Sequence, residues 1–210
     1  MLSIFALTAL LNSCAPMVAP HTMESVITVE SGGQSNAIGD NTSGRSYFPS
    51  TKSEAISIAS YLLAQGHSLD MGLSQVNSAN IRAYGLSLSQ AFDPCWNVHT
   101  GGAILQGDYV TAMRQFGPGQ VALVHAIGAY NTGSIYAGAG YASKVVQAAF
   151  NLPIYVQVAS RPRVRQIFMN RPVSGHPRIQ IIESKVISYD KKSHRARPYV
   201  SPFTIHIARL

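Results

Sequence analysis

The sequence predicts a mainly α-helical domain followed by a basic C-terminal tail that is extended or partly β. Over the first 150 residues, proline and glycine separate apolar segments whose side chains recur at helical spacing. After residue 152 the stretches alternate or are β-branched, and this segment holds 6 of the 11 prolines, which disfavours further helices. We therefore expect a domain at residues 1–152 and an extension at residues 153–210.

The first helix is predicted from an apolar stripe near the start of the sequence. Ile4, Leu7, Leu11 and Cys14 recur at helical spacing and predict a helix over about residues 2–13. This stretch has neither the basic residues nor the small-residue cleavage site of a secretory signal peptide. Its run of roughly ten apolar residues is too short to span a bilayer. We interpret it as part of the folded domain.

The second helix is expected to begin at Thr22, an N-cap candidate followed by Glu24 in the first turn, and to end at Gly32 and Gly33. Residues 40–50 are polar and rich in turn-forming residues, which predicts a loop or a small hairpin. The domain is therefore expected to contain a small non-helical region after its second helix.

Further helices follow from capping and stop signals. Thr51 and Glu54 match a capping box, and Gly66 ends the helix that they begin. Four more helices are predicted, over residues 72–84, 96–117, 119–133 and 141–150.

The positive charge of the chain is concentrated in the extension. Residues 1–150 hold 5 Lys/Arg and 7 Asp/Glu, whereas residues 151–210 hold 11 Lys/Arg and 2 Asp/Glu, so the net charges are −2 and +9. Such a basic segment favours a nucleic acid, a phospholipid surface or an acidic polymer, or it is a solvated tail that keeps the chain soluble. No nucleic-acid-binding motif accompanies the charge, and we expect no nucleic-acid partner.

The cysteines and histidines indicate no metal site. Cys14 and Cys95 do not form a C-x-x-C pair, and the seven histidines show no H-x-x-x-H spacing. The two cysteines are therefore either a disulfide or two buried thiols. The sequence also lacks a nucleophile elbow, a phosphate-binding loop and a dinucleotide fingerprint, so we expect neither a metal nor an organic cofactor.

Glu30 is the first candidate for a catalytic residue. On a helix it shares one face with Met23, Val26 and Ile27, which places it in the core or at the lip of a cleft. A carboxyl group there loses hydration, its pKa rises, and it stays protonated near neutrality, as a general acid requires. The alternative is a helix-terminal glutamate that points into solvent.

Two further stretches carry neutral polar groups. Residues 68–78 contain Gly72, which permits a tight approach of the backbone, and the polar side chains of Gln75 and Asn77. Residues 125–134 end a helix with Tyr130 and Asn131 before a capping glycine. Neutral hydrogen-bonding groups beside an aromatic ring are typical of a sugar-binding groove. Each stretch alone, however, is also typical of an ordinary turn or of the buried core.

Taken together and in this order, three motifs give a more specific signal. "VESGG…NAIG", "DMGLSQVNS" and "AIGAYNTG" resemble the three motifs of lysozyme-like lytic transglycosylases of the soluble lytic transglycosylase/goose-lysozyme superfamily. The sequence is most similar to the small members associated with type IV secretion and conjugation systems, which it also resembles at "CAPMVAPHTMESV", "FDPCWN" and "GYASKV". The resemblance covers roughly residues 3–150 and leaves the tail outside.

The resemblance implies a lysozyme-like fold and a role for each matched residue. Glu30 falls on the single catalytic acid/base of the family. The residues expected to bind substrate are Ser31, Gly72, Leu73, Gln75, Asn77, Tyr130 and Asn131. Ser74 stands where the family usually has methionine, and we expect this exchange to remodel one wall of the groove. The resemblance also implies a disulfide between Cys14 and Cys95.

The implied reaction is cleavage of peptidoglycan between N-acetylmuramic acid and N-acetylglucosamine by one carboxylate. Glu30 protonates the bridging oxygen and then takes the proton of the muramic acid C6 hydroxyl, which closes a 1,6-anhydro ring without water or cofactor. Ordinary glycosidases use two carboxylates. Asp70 is the nearest second candidate, and we interpret it as a solvated loop residue.

The implied partners are peptidoglycan strands and, through the basic tail, components of a secretion or conjugation apparatus in the periplasm or cell envelope. Two rival functions remain open at this point. One is a hydrolytic lysozyme on the same fold, and the other is a non-catalytic wall-binding assembly factor.

Overall fold

The computed structural model describes residues 4–152, 184–190 and 195–201, and these residues are mainly helical, as predicted. The helices are α1 (Ile4–Cys14), α2 (Pro20–Glu30), α3 (Lys52–Ala64), α4 (Ser78–Ala83), α5 (Leu88–Ala91), α6 (Pro94–Phe116), α7 (Gln120–Thr132) and α8 (Ala139–Asn151). The strands are β1 (Ile38–Asp40), β2 (Arg45–Tyr47), β3 (Leu69–Met71), β4 (Val76–Asn77), β5 (Ser184–Asp190) and β6 (Arg195–Ser201).

The N-terminal apolar stretch forms α1, as its spacing predicts. Leu7 and Leu11 are buried in the core, and Cys14 ends the helix packed against the same core. In the part of the chain that the structure describes, no helix combines the length and the apolar character needed to cross a lipid bilayer.

The second helix begins earlier than predicted. Its first residue is Pro20 and its N-cap is Ala19, so the N-cap predicted at Thr22 is wrong. Proline suits the first turn because its φ is already helical and its missing N–H would have no partner there. Thr22 and Glu24 are instead buried inside the helix, where the Glu24 carboxylate accepts a hydrogen bond from Thr8 of α1.

The capping box predicted for α3 is only half formed. Thr51 Oγ1 accepts the N–H of Glu54 at 3.2 Å, as expected. The Glu54 carboxylate, however, accepts the N–H of Ser50 at 2.9 Å rather than that of Thr51. The helix ends at Ala64, and Gly66 follows with a φ of +83°, which confirms the predicted stop.

A four-stranded antiparallel sheet in the order β2-β1-β3-β4 follows α2 in the fold. It confirms the small hairpin predicted over residues 40–50. Asp40 fixes the hairpin loop, because its carboxylate accepts the N–H of Thr42 at 3.0 Å and the hydroxyl of Ser43 at 2.6 Å. The helix predicted over residues 72–84 is shorter, since 72–75 form a turn and Val76–Asn77 pair with β3.

The extension contains paired strands, which confirms that it is partly β. β5 and β6 are antiparallel from the pair Ser184 and Ser201 to the pair Asp190 and Arg195. The remainder of the predicted extension lies outside the described residues.

The domain has two hydrophobic cores. One is enclosed by α1, α2, α6, α7 and α8, and the other lies between the sheet and α3, α4 and α5. Their largest fully buried side chains include Leu11, Met23, Ile27, Leu105 and Ile127 in the first core and Ile38, Leu69, Met71 and Phe92 in the second. Each such side chain contributes roughly 1.5–3 kcal/mol to folding. The two cores therefore fix the positions of the helices and strands that meet between them.

A disulfide joins Cys14 at the end of α1 to Cys95 in the first turn of α6. This is the pairing that the family resemblance implied. The bridge closes a loop with a sequence separation of 81 residues. It is reinforced by His99 of α6, whose Nδ1 lies 3.0 Å from the Cys14 carbonyl oxygen.

We expect the double variant Cys14→Ser/Cys95→Ser to lose about 2–5 kcal/mol of unfolding free energy, because the long loop is no longer closed in the unfolded state. Denaturant titration followed by circular dichroism measures the loss. The reference is the wild-type protein, measured without reducing agent so that its disulfide stays intact. An unchanged midpoint would show that the bridge does not contribute to stability.

Candidate active site

A cleft of about 490 Å³ opens where the elements of the two cores meet. Its walls come from the end of α2, the sheet, α4, α6 and the end of α7. The predicted site residues that line it are Glu30, Gln75, Asn77, Tyr130 and Asn131. The cleft therefore unites residues from all three motifs.

Glu30 is the last residue of α2 and is half-buried at the cleft. Burial raises the pKa of Glu30 to about 7; a hydrogen bond from Tyr141 opposes the rise and the charge of Asp70 adds to it. The negative end of the α2 dipole also disfavours an anion at this position. Met23, Val26 and Ile27 on the same helix are fully buried, so the predicted face and the raised pKa are both confirmed.

Ser31 fixes the end of α2 rather than lining the cleft. It is the C-cap residue, and its hydroxyl donates to the Leu73 carbonyl oxygen at 2.7 Å and accepts the N–H of Gly33 at 3.2 Å. Gly32 and Gly33 have φ values of +59° and +81°, which turn the chain away immediately after the helix. Ser31 thus sets where the Glu30 side chain leaves the helix.

The turn at residues 72–75 is packed against α6. Gly72 has a φ of +79°, and a Cβ there would lie 2.3 Å from Asn97 Nδ2, so no larger residue fits. Leu73 is fully buried in the first core, which means that its side chain does not reach the cleft. Gln75 has a left-handed φ of +45°, and its amide donates to the carbonyl oxygens of Ala37 and Gly72.

Ser74 does not form a wall of the cleft, contrary to the sequence-based expectation. Its side chain is fully buried, and a Cβ at Gly101 of α6 would lie only 2.6 Å from the Ser74 Cβ. Its N–H donates to Asn97 Oδ1 at 2.7 Å, and its carbonyl oxygen accepts the Tyr130 hydroxyl at 2.7 Å. The exchange of methionine for serine is therefore accommodated behind the cleft wall, against α6.

Tyr130 and Asn131 lie at the end of α7 with different surroundings. The Tyr130 hydroxyl is committed to Ser74. Burial raises the pKa of Tyr130 well above its usual value, and the charges of Glu30, Asp108 and Asp70 raise it further. Asn131 is exposed at the rim, where its side chain makes no hydrogen bond with the described residues. Asn131 is thus available to a ligand, whereas Tyr130 supports the wall.

Asp70 is not the solvated loop residue that the sequence suggested. It lies on β3, and its two carboxylate oxygens accept hydrogen bonds from the side-chain amides of Asn41 and Asn77, each at 2.8 Å. It lines the cleft together with Glu30 and raises the pKa of Glu30 through its charge, after the larger effect of burial. Asn77 also caps α4 through its Oδ1.

Sequence reasoning missed two residues of the site. Tyr141 of α8 donates a hydrogen bond to Glu30 Oε1, although the two are 111 residues apart. Asp108 of α6 lines the cleft with a buried Oδ2 that has no hydrogen-bond partner, and burial raises the pKa of Asp108 to about 6. Helical spacing was the available signal for Asp108, because it follows Gly101 and Ile104 on one face of α6.

The cleft carries negative charge. Its lining contains three carboxyl groups, from Glu30, Asp70 and Asp108, and no lysine, arginine or histidine among the described residues. Nowhere in the described ranges do three histidine, cysteine or acidic side chains come close enough to hold a metal ion. The arrangement suits proton transfer by Glu30 to a ligand held by amide and hydroxyl groups.

Residues 9–144 match the family described as "Transglycosylase SLT domain". The chain is 38% identical over 148 residues to "Type IV secretion system protein virB1" of Brucella abortus and of Brucella suis, covering 67% of this chain and 62% of theirs. It is 36% identical over 146 residues to "Protein virB1" of Agrobacterium fabrum, covering 67% of this chain and 58% of that protein. The chain therefore spans about three fifths of the length of these relatives. No solved structure matches it.

We expect Tyr141→Phe to raise the pKa of Glu30 above its value of about 7, because the lost hydrogen bond stabilised the carboxylate. The rise should be about 1 pH unit, given the usual strength of a hydrogen bond to a charged group. Carbon-13 NMR titration of the carboxyl carbons measures it, since the chain has only four glutamates. Tyr61→Phe is the control, because Tyr61 is exposed on α3 and does not line the cleft. A fall in the pKa of Glu30 in Tyr141→Phe would contradict the assignment.

Proposed function

The chain belongs to the transglycosylase SLT domain family, and from this premise we propose that it is a peptidoglycan lytic transglycosylase with Glu30 as its single acid/base. The bond cleaved is the β-1,4 linkage between N-acetylmuramic acid and N-acetylglucosamine. The observation that carries the proposal is a half-buried carboxyl group with a pKa of about 7 at the wall of a cleft lined by polar side chains.

The first step needs a protonated carboxyl group. With a pKa of about 7, Glu30 is about half protonated at neutral pH and largely protonated below it, whereas an ordinary glutamate would be ionised. It donates its proton to the oxygen that bridges the two sugars, and the bond from that oxygen to C1 of muramic acid breaks. The N-acetylglucosamine side leaves as an alcohol, and Glu30 is left as a carboxylate.

The second step returns the proton. The Glu30 carboxylate takes the proton of the C6 hydroxyl of the same muramic acid, and the C6 oxygen bonds to C1 to close the 1,6-anhydro ring. No water is consumed, and Glu30 ends protonated. Effective molarities for aligned intramolecular attack reach about 10⁵ M or more, which compensates for the absence of a separate nucleophile. Tyr141 stabilises the carboxylate between the steps through its hydrogen bond to Oε1.

The neutral side chains of the cleft would hold the glycan. Asn131 at the rim is available to a sugar, and the amide of Asn80 lines the same cleft. Gln75 and Asn77 shape the floor, because their amides are bonded to the turn and to Asp70. In this proposal Ser31, Gly72 and Leu73 position the site from behind, without contacting the substrate.

The rival reading is a hydrolytic lysozyme, and the additional carboxylates in the cleft are the observation that favours it. A hydrolase uses a second carboxylate as nucleophile or base. Asp70 is the weaker candidate for that role, because both its oxygens already accept amide hydrogen bonds. Asp108 has a free oxygen, but burial raises the pKa of Asp108 to about 6, which weakens it as an anionic nucleophile. We therefore favour the intramolecular route.

We expect Glu30→Gln to fold normally and to cleave peptidoglycan at least about 10²-fold more slowly, since glutamine cannot transfer the proton. Mass spectrometry of released muropeptides checks both rate and product. The wild-type product should be one water lighter than the product of hydrolysis. If the chain is the third possibility, a non-catalytic wall-binding assembly factor, neither form releases muropeptides and Glu30→Gln leaves secretion or conjugation intact.

Asp70→Asn and Asp108→Asn separate the two enzymatic mechanisms. Both variants should still release 1,6-anhydro products, because neither carboxylate takes part in the intramolecular reaction. Loss of all turnover in one of them, with reducing-end products from the wild type, would identify that carboxylate as the second catalytic group of a hydrolase.

The cellular role that fits is local opening of the cell wall for a type IV secretion or conjugation apparatus, in the periplasm or cell envelope. The support is the name of the Brucella relatives, "Type IV secretion system protein virB1". The domain at residues 1–152 would cut the wall. The basic extension at residues 153–210 would bind components of the apparatus or the anionic envelope, given its charge.

Removal of residues 153–210 tests the role of the extension. We expect the truncated chain to keep its activity on purified peptidoglycan but to lose its localisation to the apparatus, because the positive charge is gone. Fluorescence microscopy and a secretion or conjugation assay measure the loss beside the full chain. Normal localisation and normal transfer by the truncated chain would remove the proposed role.

A further inference from the structure

A second cavity of about 520 Å³ lies beside the cleft, between the end of α3, the sheet, α4 and α5. Asn77 lines both cavities, and Asn80 of the cleft lies on the same short helix as Ala79 and Arg82 of the second cavity. The two cavities are therefore neighbours that adjoin at Asn77 and α4. The volume is within the range that small ligands occupy.

The two cavities differ in charge. The lining of the cleft has three carboxyl groups and no basic side chain, whereas the lining of the second cavity has Arg82 and His67 and no carboxyl group. Arg82 is exposed and forms no ion pair with any residue that the structure describes. His67 Nδ1 is held by Asp40 at 2.8 Å, so Arg82 is the cation that a ligand can reach.

Much of the remaining lining of the second cavity is apolar. Leu63 of α3, Ile81 of α4, and Leu86 and Leu88 around α5 line the second cavity. An occupant that matches this lining has a carboxylate on one side and short aliphatic groups on the other. A glycan chain without peptides carries carboxylates only at its lactyl groups, directly on the sugar rings.

The peptide stem of muramic acid has this chemistry. It is joined to the sugar through an amide at the lactyl group, and it carries carboxylates between residues with short aliphatic side chains. In a strand that has lost its peptides, the lactyl group is a free carboxylate, which the charge of Asp70 in the cleft would repel. In a peptide-bearing strand that group is neutral, and the carboxylates lie farther from the cleft.

We propose that the second cavity binds the peptide stem next to the cleaved linkage, with Arg82 pairing one of its carboxylates, so that the chain selects peptide-bearing over peptide-free glycan. This inference rests on the proposed function, because it takes peptidoglycan as the ligand of the cleft. It adds a recognition site outside the three motifs.

The test compares strands of one preparation and one length, with peptides intact or removed by an amidase. Binding of both to the full-length Glu30→Gln variant is measured by calorimetry, so that the answer does not depend on turnover. Peptide-bearing strands should bind roughly three- to tenfold more tightly than peptide-free strands, as expected for one accessible ion pair and its apolar contacts. Adding Arg82→Glu should reduce this ratio to about one.

Two further variants in the same Glu30→Gln background act as controls. Arg82→Lys keeps the charge and should retain most of the preference. Arg114→Glu makes the same charge change on an exposed residue near the end of α6, outside both cavities, and should leave the ratio unaltered.

Equal binding of the two kinds of strand, or an equal loss of preference in Arg114→Glu, would overturn the inference. The proposed function is judged separately by the muropeptide products of the protein with Glu30 intact. A protein that selects peptide-bearing strands but cleaves neither kind would retain this binding site and lose the enzymatic assignment.

Discussion

The site depends on the backbone of one turn, at residues 72–75, which side chains from three helices hold in place. Ser31 at the end of α2 donates to the Leu73 carbonyl oxygen, Asn97 of α6 accepts the Ser74 N–H, and Tyr130 of α7 donates to the Ser74 carbonyl oxygen. Because buried backbone polar groups need partners, removing any of these side chains leaves an unsatisfied group in the core. The turn therefore fixes the end of α2, and with it Glu30, relative to α6 and α7.

The raised pKa of Glu30 lowers the stability of the fold near neutral pH. Burial raises the pKa of Glu30 from its ordinary value of 4.5 to about 7, so the folded chain holds this proton more tightly than the unfolded chain does. The contribution of this proton to stability is complete below about pH 4.5 and is lost as pH rises through about 7. Asp108, with a pKa that burial raises to about 6, acts in the same direction. These carboxyl groups are retained in the cleft at the expense of stability near neutral pH, which is typical of functional groups.

Local patterns predicted the longer helices, the hairpin and the buried face of Glu30, because these features depend on neighbours within a few residues of each other. What the sequence could not show depends on contacts across the fold. Tyr141 reaches Glu30 from 111 residues away, and the burial of Leu73 and Ser74 is set by packing against the first core and α6. Asp70 resembled a loop residue because β3 has only three residues, too few for an alternating pattern. The start of α2 was misplaced because Pro20 and Thr22 both fit a helix N-terminus, and tertiary burial decided between them.

Most side chains of the three motifs are placed or bonded so that they cannot select between ligands. Ser31, Gly72 and Leu73 lie behind the cleft wall, and the polar groups of Gln75, Asn77 and Tyr130 are bonded within the protein. A side chain committed to an internal hydrogen bond cannot also distinguish between ligands without breaking that bond. Discrimination must then come from side chains with free groups at the surface of the cavities, which are Asn131 within the motifs and Asp108 and Arg82 outside them. Members of one family can thus keep the same buried glutamate and the same turn while they differ in the side chains that meet a ligand.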